Sequence, residues 1–348
     1  METLSVNTRD YDKAFPAFGP PISLGEYTLN EERKVTLGRA EARYLYAALV
    51  GGSALRLDLS AGFETFRKKP GDERLNALLA WICTQSPPGG HLKRCLHEAD
   101  FVSWRGMLTK IAATPFSMDD DWMFEARKVQ DVIFLLERET EAQGLKKGLM
   151  TPREHLMTYW GFKFEQYATI AEPGGQPSTA EPVSQLDEFG VVVKSQLQTA
   201  DDPLQLVYSG EVDCIDSAGT LLELKTQRQA LTGGFWRYKS LKWWIQSFLL
   251  GIRTIVVGFR DDAGYVNKVD TVAVNDLPKQ GQWRGNVCFN FLGHVLAKVK
   301  KVLEENDVPE PMCRVSYSPK TRSITFQKVS GEDFITPEFR RHFAAEPS

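Results

Sequence analysis

Two short stretches decide how this chain is read: Y-S-G-E-V-D-C-I-D at 208–216 and L-L-E-L-K-T at 221–226. Each has the composition of a β-strand, and Asp216-Ser217-Ala218-Gly219 between them has that of a tight turn. Side chains alternate between the two faces of a strand. Glu211 and Asp213 therefore share one face of the first strand, and Glu223 and Lys225 one face of the second. Val212, Leu222 and Leu224 point the other way, as a core-facing set should. Paired as a hairpin, the strands gather three carboxylates and one ammonium on one patch of sheet. Carboxylates so crowded repel unless a cation lies among them. A ligand set made only of oxygen favours a hard divalent ion, Mg²⁺ or Mn²⁺. A lysine two residues past a metal-binding glutamate can hold a phosphate oxygen or an attacking water. The layout suits metal-dependent cleavage of a phosphodiester.

An E-x-D or E-x-K alone says little, because edge strands carry Lys and Glu on solvated faces that discourage aggregation. The order Asp213, Glu223, Lys225 says more. It resembles the D…(D/E)-x-K signature of a large nuclease superfamily.

Two neighbouring runs bear on the same site. W-G-F-K-F-E-Q-Y at 160–167 falls in a predicted helix that starts with Thr151 as N-cap, Pro152 at the first helical position and Glu154 at the third. Glu165 there is either a surface carboxylate near a core helix or a further metal ligand. K-S-L-K-W-W-I-Q-S-F-L-L-G-I at 239–252 reads as a second helix, ended by Gly251 and apolar on most sides, hence largely buried. Lys239, Lys242 and Gln246 form its polar stripe. A buried glutamine needs hydrogen-bond partners. For Gln246 these are structural, or they are a substrate phosphate or a metal-bound water.

With S-W-R-G-M-L-T-K-I at 103–111 placed first, G-F-K-F-E-Q-Y at 161–167, G-E-V-D-C at 210–214, L-E-L-K-T at 222–226 and L-K-W-W-I-Q-S-F-L-L-G-I at 241–252 follow in order. Together they resemble the DXO family of RNA 5′-end decapping nucleases, from about Phe15 to about Phe291. The resemblance implies a mixed α/β (α+β) fold of two β-sheets with flanking helices. It implies one domain over 1–348, with 1–14 and 307–348 peripheral or unassigned. It also implies hydrolysis at RNA 5′ ends with Mg²⁺ or Mn²⁺, two ions acting together. Family members variously release pyrophosphate from 5′-triphosphates, remove incomplete or NAD caps, or degrade RNA from its 5′ end. Its fungal branch includes nuclear members that partner a 5′→3′ exoribonuclease, so an intracellular, nuclear or cytoplasmic, location is expected.

Position by position, the resemblance makes Arg105 a substrate-binding arginine and Glu165 the second-motif acid. Glu211 and Asp213 match the third motif, and Glu223 and Lys225 the fourth. The Leu224 carbonyl becomes an added metal ligand, and Gln246 matches the helix glutamine. The metal set is then Glu165, Glu211, Asp213, Glu223 and Leu224. Lys225 and Gln246 contact the substrate or nucleophile. Two rivals fit the same residues: a DNA nuclease with this metal site, and a protein whose main work is to stabilise a larger exoribonuclease.

Composition sets the outer bounds. Of 348 residues, 42% are hydrophobic and 25% charged, which suits a globular chain with a substantial core. The net charge of −3 is not that of a bulk-charge nucleic-acid binder, although an end-acting enzyme needs only a local basic channel. Five cysteines form no C-x-x-C and read as reduced thiols. No run approaches the ~20 apolar residues of a membrane span.

Elsewhere, 72–85 reads as an amphipathic helix and 172–187 as a loop. The segments 189–197, 254–259 and 265–274 read as strands, and 287–305 as a long helix with a basic outer face at Lys298, Lys300 and Lys301. Periodicity over 119–147 favours a helix, whereas the family resemblance implies strands through Phe134–Glu137. The five histidines have no metal-ligand spacing.

Overall fold

The computed structural model describes residues 2–69, 71, 74–117 and 119–344. Among these, a ten-stranded sheet runs in spatial order through Glu2–Ser5, Ser323–Val329, Met312–Ser318, Trp122–Val129, Val132–Arg138, Phe101–Trp104, Leu204–Glu211, Glu188–Leu197, Ile22–Leu29 and Val35–Leu37. A seven-stranded sheet runs through Ser53–Asp58, Tyr265–Ala273, Thr254–Arg260, Leu221–Arg228, Cys214–Ile215, Tyr44–Leu45 and Thr169–Ile170. Pairing is antiparallel except on both sides of Phe101–Trp104, between Leu221–Arg228 and Thr254–Arg260, and between Cys214–Ile215 and Tyr44–Leu45. Helices pack on both sheets, so the expected mixed α/β architecture of two sheets with flanking helices holds.

The first decisive stretch is not one strand. Leu204–Glu211 belongs to the ten-stranded sheet, and Cys214–Ile215 belongs to the other. Between them the Val212 N–H donates to the Phe189 carbonyl at 2.9 Å. Glu211 and Asp213 thus flank a crossing between sheets and do not share a strand face. The hairpin itself is short, with Cys214 opposite Leu222 and Ile215 opposite Leu221. Its turn is as expected. Gly219 sits at φ +82°, and Asp216 Oδ1 accepts the N–H groups of Ala218 and Thr220, each at 2.8 Å.

Residues 122–138 are a β-hairpin, against the helical periodicity and in line with the family implication. Trp122–Val129 pairs with Val132–Arg138 through Gln130 and Asp131 at φ 43° and 66°, as a type I′ turn requires. Ile133 and Leu135 pack into one core with Met107, Leu108 and Ile111, while Val132, Phe134 and Leu136 enter a second core with Leu78 and Ile82. A strand buried on both faces shows a continuous apolar run, which periodicity does not separate from a helix.

The C-terminal region is not peripheral. Met312–Ser318 pairs with both Trp122–Val129 and Ser323–Val329, and Phe339 of the Pro337–His342 helix is buried in the second core. At the other end Glu2–Ser5 adds an edge strand, and Tyr11 meets Phe291 edge-on at 5.0 Å. The helix expected at 72–85 spans Asn76–Gln85; Asp72 and Glu73 lie outside the described residues. The long Gly285–Glu304 helix forms, and its basic face is ion-paired: Lys298 with Glu2, Lys300 with Asp100 at 2.9 Å, Lys301 with Glu305 at 3.8 Å. The cysteines are free thiols. No helix among the described residues is long and apolar enough to cross a membrane.

Candidate active site

The site lies where the chain changes sheets. Leu221–Arg228 is hydrogen-bonded along one side to Thr254–Arg260, but on the other side its partner strand covers only Leu221 and Leu222. Beyond that point the Leu224 N–H donates instead to Asp213 Oδ2, at 2.7 Å. The N–H and C=O of a strand residue project to the same side. The Leu224 carbonyl therefore faces the same opening, beside Asp213.

Glu223 and Lys225 share a face of this strand. The Lys225 ammonium donates to the Glu223 carboxylate, which is only 2% exposed. Arg105 opens the Arg105–Ala113 helix, directly after Phe101–Trp104. Its Nη1 stands 3.7 Å from Glu223 Oε2, and both atoms are buried without a hydrogen-bond partner. The separation is ionic contact but too long for a hydrogen bond.

Glu165 comes from the Pro152–Ala168 helix. The expected start of that helix is present as a capping box: Thr151 Oγ1 accepts the Glu154 N–H at 3.2 Å, and Glu154 accepts the Thr151 N–H at 2.7 Å. Phe164 seats the helix on the smaller sheet over Gly258, where a Cβ would lie 2.5 Å from its ring. Glu165 then lines a cavity of about 360 Å³ with Glu211, Asp213, Asp187 and Glu188. A second cavity of about 150 Å³ adjoins it at Glu188 and Glu211 and is lined also by Tyr27, Lys69 and Trp104.

The electrostatics follow from this crowding. Burial, then the charges of Asp213 and Glu211, push the Glu165 carboxyl well above the usual carboxylate range. Burial, then Glu188 and Asp213, raise Glu211 to about 7, although its side chain is exposed along the cavity. Burial and then Glu223 raise Asp213 to about 6, against the pull of Lys225 and the Leu224 N–H. For Glu223 burial also opposes charge, but Lys225 and Arg105 outweigh it and hold its pKa below the ordinary value. Burial likewise opposes charge on Lys225, and Glu223 and Asp213 outweigh it, so the ammonium stays protonated.

Gln246 sits on the Ser240–Leu250 helix, ended by Gly251 at φ +70°. It is half-buried, and among the described residues its side chain makes no hydrogen bond. The expected structural partner is thus not found. Its position follows from two anchors. Lys239 donates to Gln227 Oε1 at 3.2 Å, and Gln227 is on the same strand face as Glu223 and Lys225. Leu250 packs where Gly210 and Arg105 meet. Gln246 lies between these anchors, seven residues on from Lys239 and one turn before Leu250. Lys242 is exposed and points away, toward the surface around Lys110 and Lys146.

Glu188 was not singled out by sequence. It starts the Glu188–Leu197 strand, divides the two cavities, and pairs with Arg33 at 3.0 Å and Lys69 at 2.9 Å. Nothing local marks it, because its neighbours come from distant segments. Among the described residues, no three His, Cys, Asp or Glu side chains close on a common point as a preformed metal cage. Asp213 is turned to the Leu224 N–H and Glu223 to Lys225. The donors around the cavity are still all oxygen, mutually repelling, with one buried Glu223 oxygen unpartnered. That chemistry fits a hard dication.

Comparison with known proteins gives one consistent result. Residues 20–340 match the family model described as RAI1-like PD-(D/E)XK nuclease. The decapping nuclease dom-3 of Caenorhabditis elegans is 38% identical over 333 residues, covering 92% of this chain and 84% of the relative. The human decapping and exoribonuclease protein is 31% identical, covering 85% of this chain and 78% of the relative. The fold matches crystal structures of Scheffersomyces stipitis Rai1 with (3′-NADP)⁺ and calcium (TM-score 0.79, 23% identity, 99% of each chain) and Candida albicans Rai1 with pU5 and Mn²⁺ (TM-score 0.76, 20% identity, 97% of this chain and 98% of that one). On the strength of the family match and the close relatives, the chain belongs to the RAI1-like PD-(D/E)XK nuclease family.

Proposed function

We propose that this protein is a divalent-metal-dependent hydrolase that acts on RNA 5′ ends and leaves a 5′-monophosphate. The observation that carries the reading is the Glu223–Lys225 pair with Arg105 behind it, set opposite Glu165, Glu211 and Asp213 at the crossing between sheets. Glu165, Asp213, Glu223 and the Leu224 carbonyl are the metal ligands, with Glu211 joining directly or through water. Two bound ions would supply an activated water and steady the leaving oxygen. The chain's own part is positioning and charge. Lys225 and Gln246 orient the attacked phosphate or the nucleophile and stabilise charge that builds in the transition state. Arg105 holds a substrate phosphate.

The substrates are ends that carry a triphosphate, an incomplete cap or NAD. Support comes from the relatives' names, decapping nuclease and decapping and exoribonuclease protein, and from the Rai1 structures with pU5 and with 3′-NADP and 3′-FADP. Base identity matters little, because contacts to phosphate position a chain without reading its sequence. A monophosphate end is what a 5′→3′ exoribonuclease consumes, which supports a partner of that class; the resemblance to the family's fungal branch supports the nucleus, with the cytoplasm as the alternative.

The test is a side-by-side assay of triphosphate, unmethylated-cap, methylated-cap and NAD-capped RNAs, with DNA as control and products identified by mass spectrometry. A 5′-monophosphate from at least one modified RNA end supports the proposal. Internal cuts that leave the 5′ end intact, or a preference for DNA, refute it.

A further inference from the structure

We infer that Tyr208 and Gly210 are positioning residues that hold Gln246 and Arg105 in register with Glu223. The inference rests on the proposed roles of Arg105 and Gln246 and goes beyond them. Tyr208 and Gly210 alternate with Ser209 and so share one face of the Leu204–Glu211 strand. Onto that face comes the C-terminal end of the Ser240–Leu250 helix. The last four carbonyls of a helix lack an intrahelical donor. Here Gly251 N–H and Ile252 N–H turn back to Phe248 and Ser247, at 3.1 and 2.9 Å. Leu249 is served differently: the fully buried Tyr208 hydroxyl donates to its carbonyl at 2.7 Å. Ser195 Oγ lies 2.9 Å from the same hydroxyl, which fixes its direction. One strand thereby sets the height of the helix, and with it Gln246, one turn back on the Leu250 face.

Gly210 does the matching work for Arg105. Its neighbour Ser209 pairs with Trp104, so Gly210 lies beside Arg105. A Cβ on Gly210 would sit 2.9 Å from Leu250 Cδ1, 3.2 Å from Arg105 Cβ and 3.3 Å from Arg105 Nε. Leu250 is 4% exposed in the main core and has little room to yield. Only the bare backbone lets the arginine lie across the strand and reach Glu223. Tyr208 and Gly210 touch no reacting group themselves.

Two double-mutant cycles test this. Tyr208→Phe and Gly210→Ala are each expected to keep wild-type circular dichroism and to lower kcat on 5′-triphosphate RNA about ten- to a hundredfold, the scale of a small misplacement of catalytic groups. Gly210→Ala should then cost less than about twofold more in an Arg105→Ala background, and Tyr208→Phe likewise in Gln246→Ala, because residues that act through one group are not additive. Full multiplication of the losses would make both residues merely structural and overturn the inference. Should Gly210→Ala fold poorly, Gly210→Ala with Leu250→Ala removes the nearest clash and is expected to fold and recover activity; folding without recovery counts against the role. A crystal structure of Gly210→Ala is a readout independent of substrate. Arg105 Nη1 must lie clearly farther from Glu223 than the present 3.7 Å, and an unmoved arginine refutes the inference even if the proposed RNA activity stands. If the wild type cleaves no RNA end, that reading fails, and the crystal structure still decides Gly210, as one of Tyr208→Phe decides Tyr208: an unmoved Gln246 there refutes its role.

Discussion

Asp213 Oδ2 accepts the Leu224 N–H at 2.7 Å, in the place where a partner strand would otherwise take it. One carboxylate thereby ends the pairing of Leu221–Arg228 and holds the strand edge open beside the acidic cavity. Asp213→Asn separates the two tasks, since the amide oxygen still accepts the N–H while the charge is gone. Turnover should fall by more than about a hundredfold, beyond the usual effect of second-layer metal-site changes. The fold should be intact by circular dichroism, with no loss of Tm in EDTA at pH 8. An unfolded variant would make Asp213 structural.

Chelation gives a direct check on the oxygen-only cluster of Glu165, Glu211, Asp213 and Glu223. Hydrolysis should stop in EDTA and return with Mg²⁺ or Mn²⁺. Undiminished turnover in EDTA would remove the metal from the mechanism.

The raised carboxyls predict an unusual pH response. In the folded protein Asp213 titrates at about 6 and Glu211 at about 7, whereas unfolded carboxyls titrate at about 4. Between these values the folded chain keeps protons that the unfolded chain has released, so stability from these groups falls as pH rises through that window. In EDTA, the Tm of Asp213→Asn or Glu211→Gln relative to wild type should climb from pH 5 to pH 8. Mg²⁺ should shrink or reverse that difference by binding the folded wild type. A difference flat in pH would show that the carboxyls do not repel as described.

The crossing between sheets explains what could be read from sequence and what could not. Residues Leu221–Thr226 and the Asp216–Gly219 turn are local, and their alternation and turn chemistry predicted the hairpin. Glu211 was assigned to the same strand as Asp213 because alternation continues unbroken while the chain changes sheets at Val212. The hairpin at 122–138 was obscured for a related reason. Burial on both faces erased the period-2 signal over Val132–Leu136, leaving it only at Trp122, Phe124 and Ala126, and Gln130-Asp131 lacks the Asn-Gly mark of a type I′ turn. Glu188 and the strands at Met312–Ser318 and Ser323–Val329 depend on partners far away in sequence. Arg105 was legible only through resemblance, while Glu165 and Gln246 stood out on their helices but kept a structural alternative until the resemblance gave them roles. Their approach to the hairpin is set by packing, as with Phe164 over Gly258 and Leu250 over Gly210.

Gln246 is half-buried and makes no side-chain hydrogen bond among the described residues, so its amide is available to a ligand. Gln246→Ala should lower kcat about a hundredfold, as for other groups that stabilise developing charge, while RNA affinity changes much less. Tm should stay within a degree or two, because no internal bond is lost. Unchanged turnover, or a large drop in Tm, would return Gln246 to a structural role.

The last prediction concerns the buried Glu223–Lys225 pair. Glu223 is 2% exposed and has its pKa held low by Lys225 and Arg105 against burial. A depressed carboxyl stabilises the fold above its unfolded pKa of about 4, and that contribution fades as pH falls. Lys225→Met removes the nearer cation and leaves a buried carboxylate facing only an arginine 3.7 Å away. Stability at pH 7.5 should drop by about 3 kcal/mol, the scale for a broken buried pair, as measured by urea denaturation. Turnover should be abolished. Glu223→Gln added to Lys225→Met removes the stranded charge and should restore most of the stability, while activity remains lost. That split between recovered fold and absent chemistry is what an ion pair kept for catalysis requires. If the double variant is as unstable as Lys225→Met alone, the lysine supports the fold by packing and the pair does not set the stability of the site.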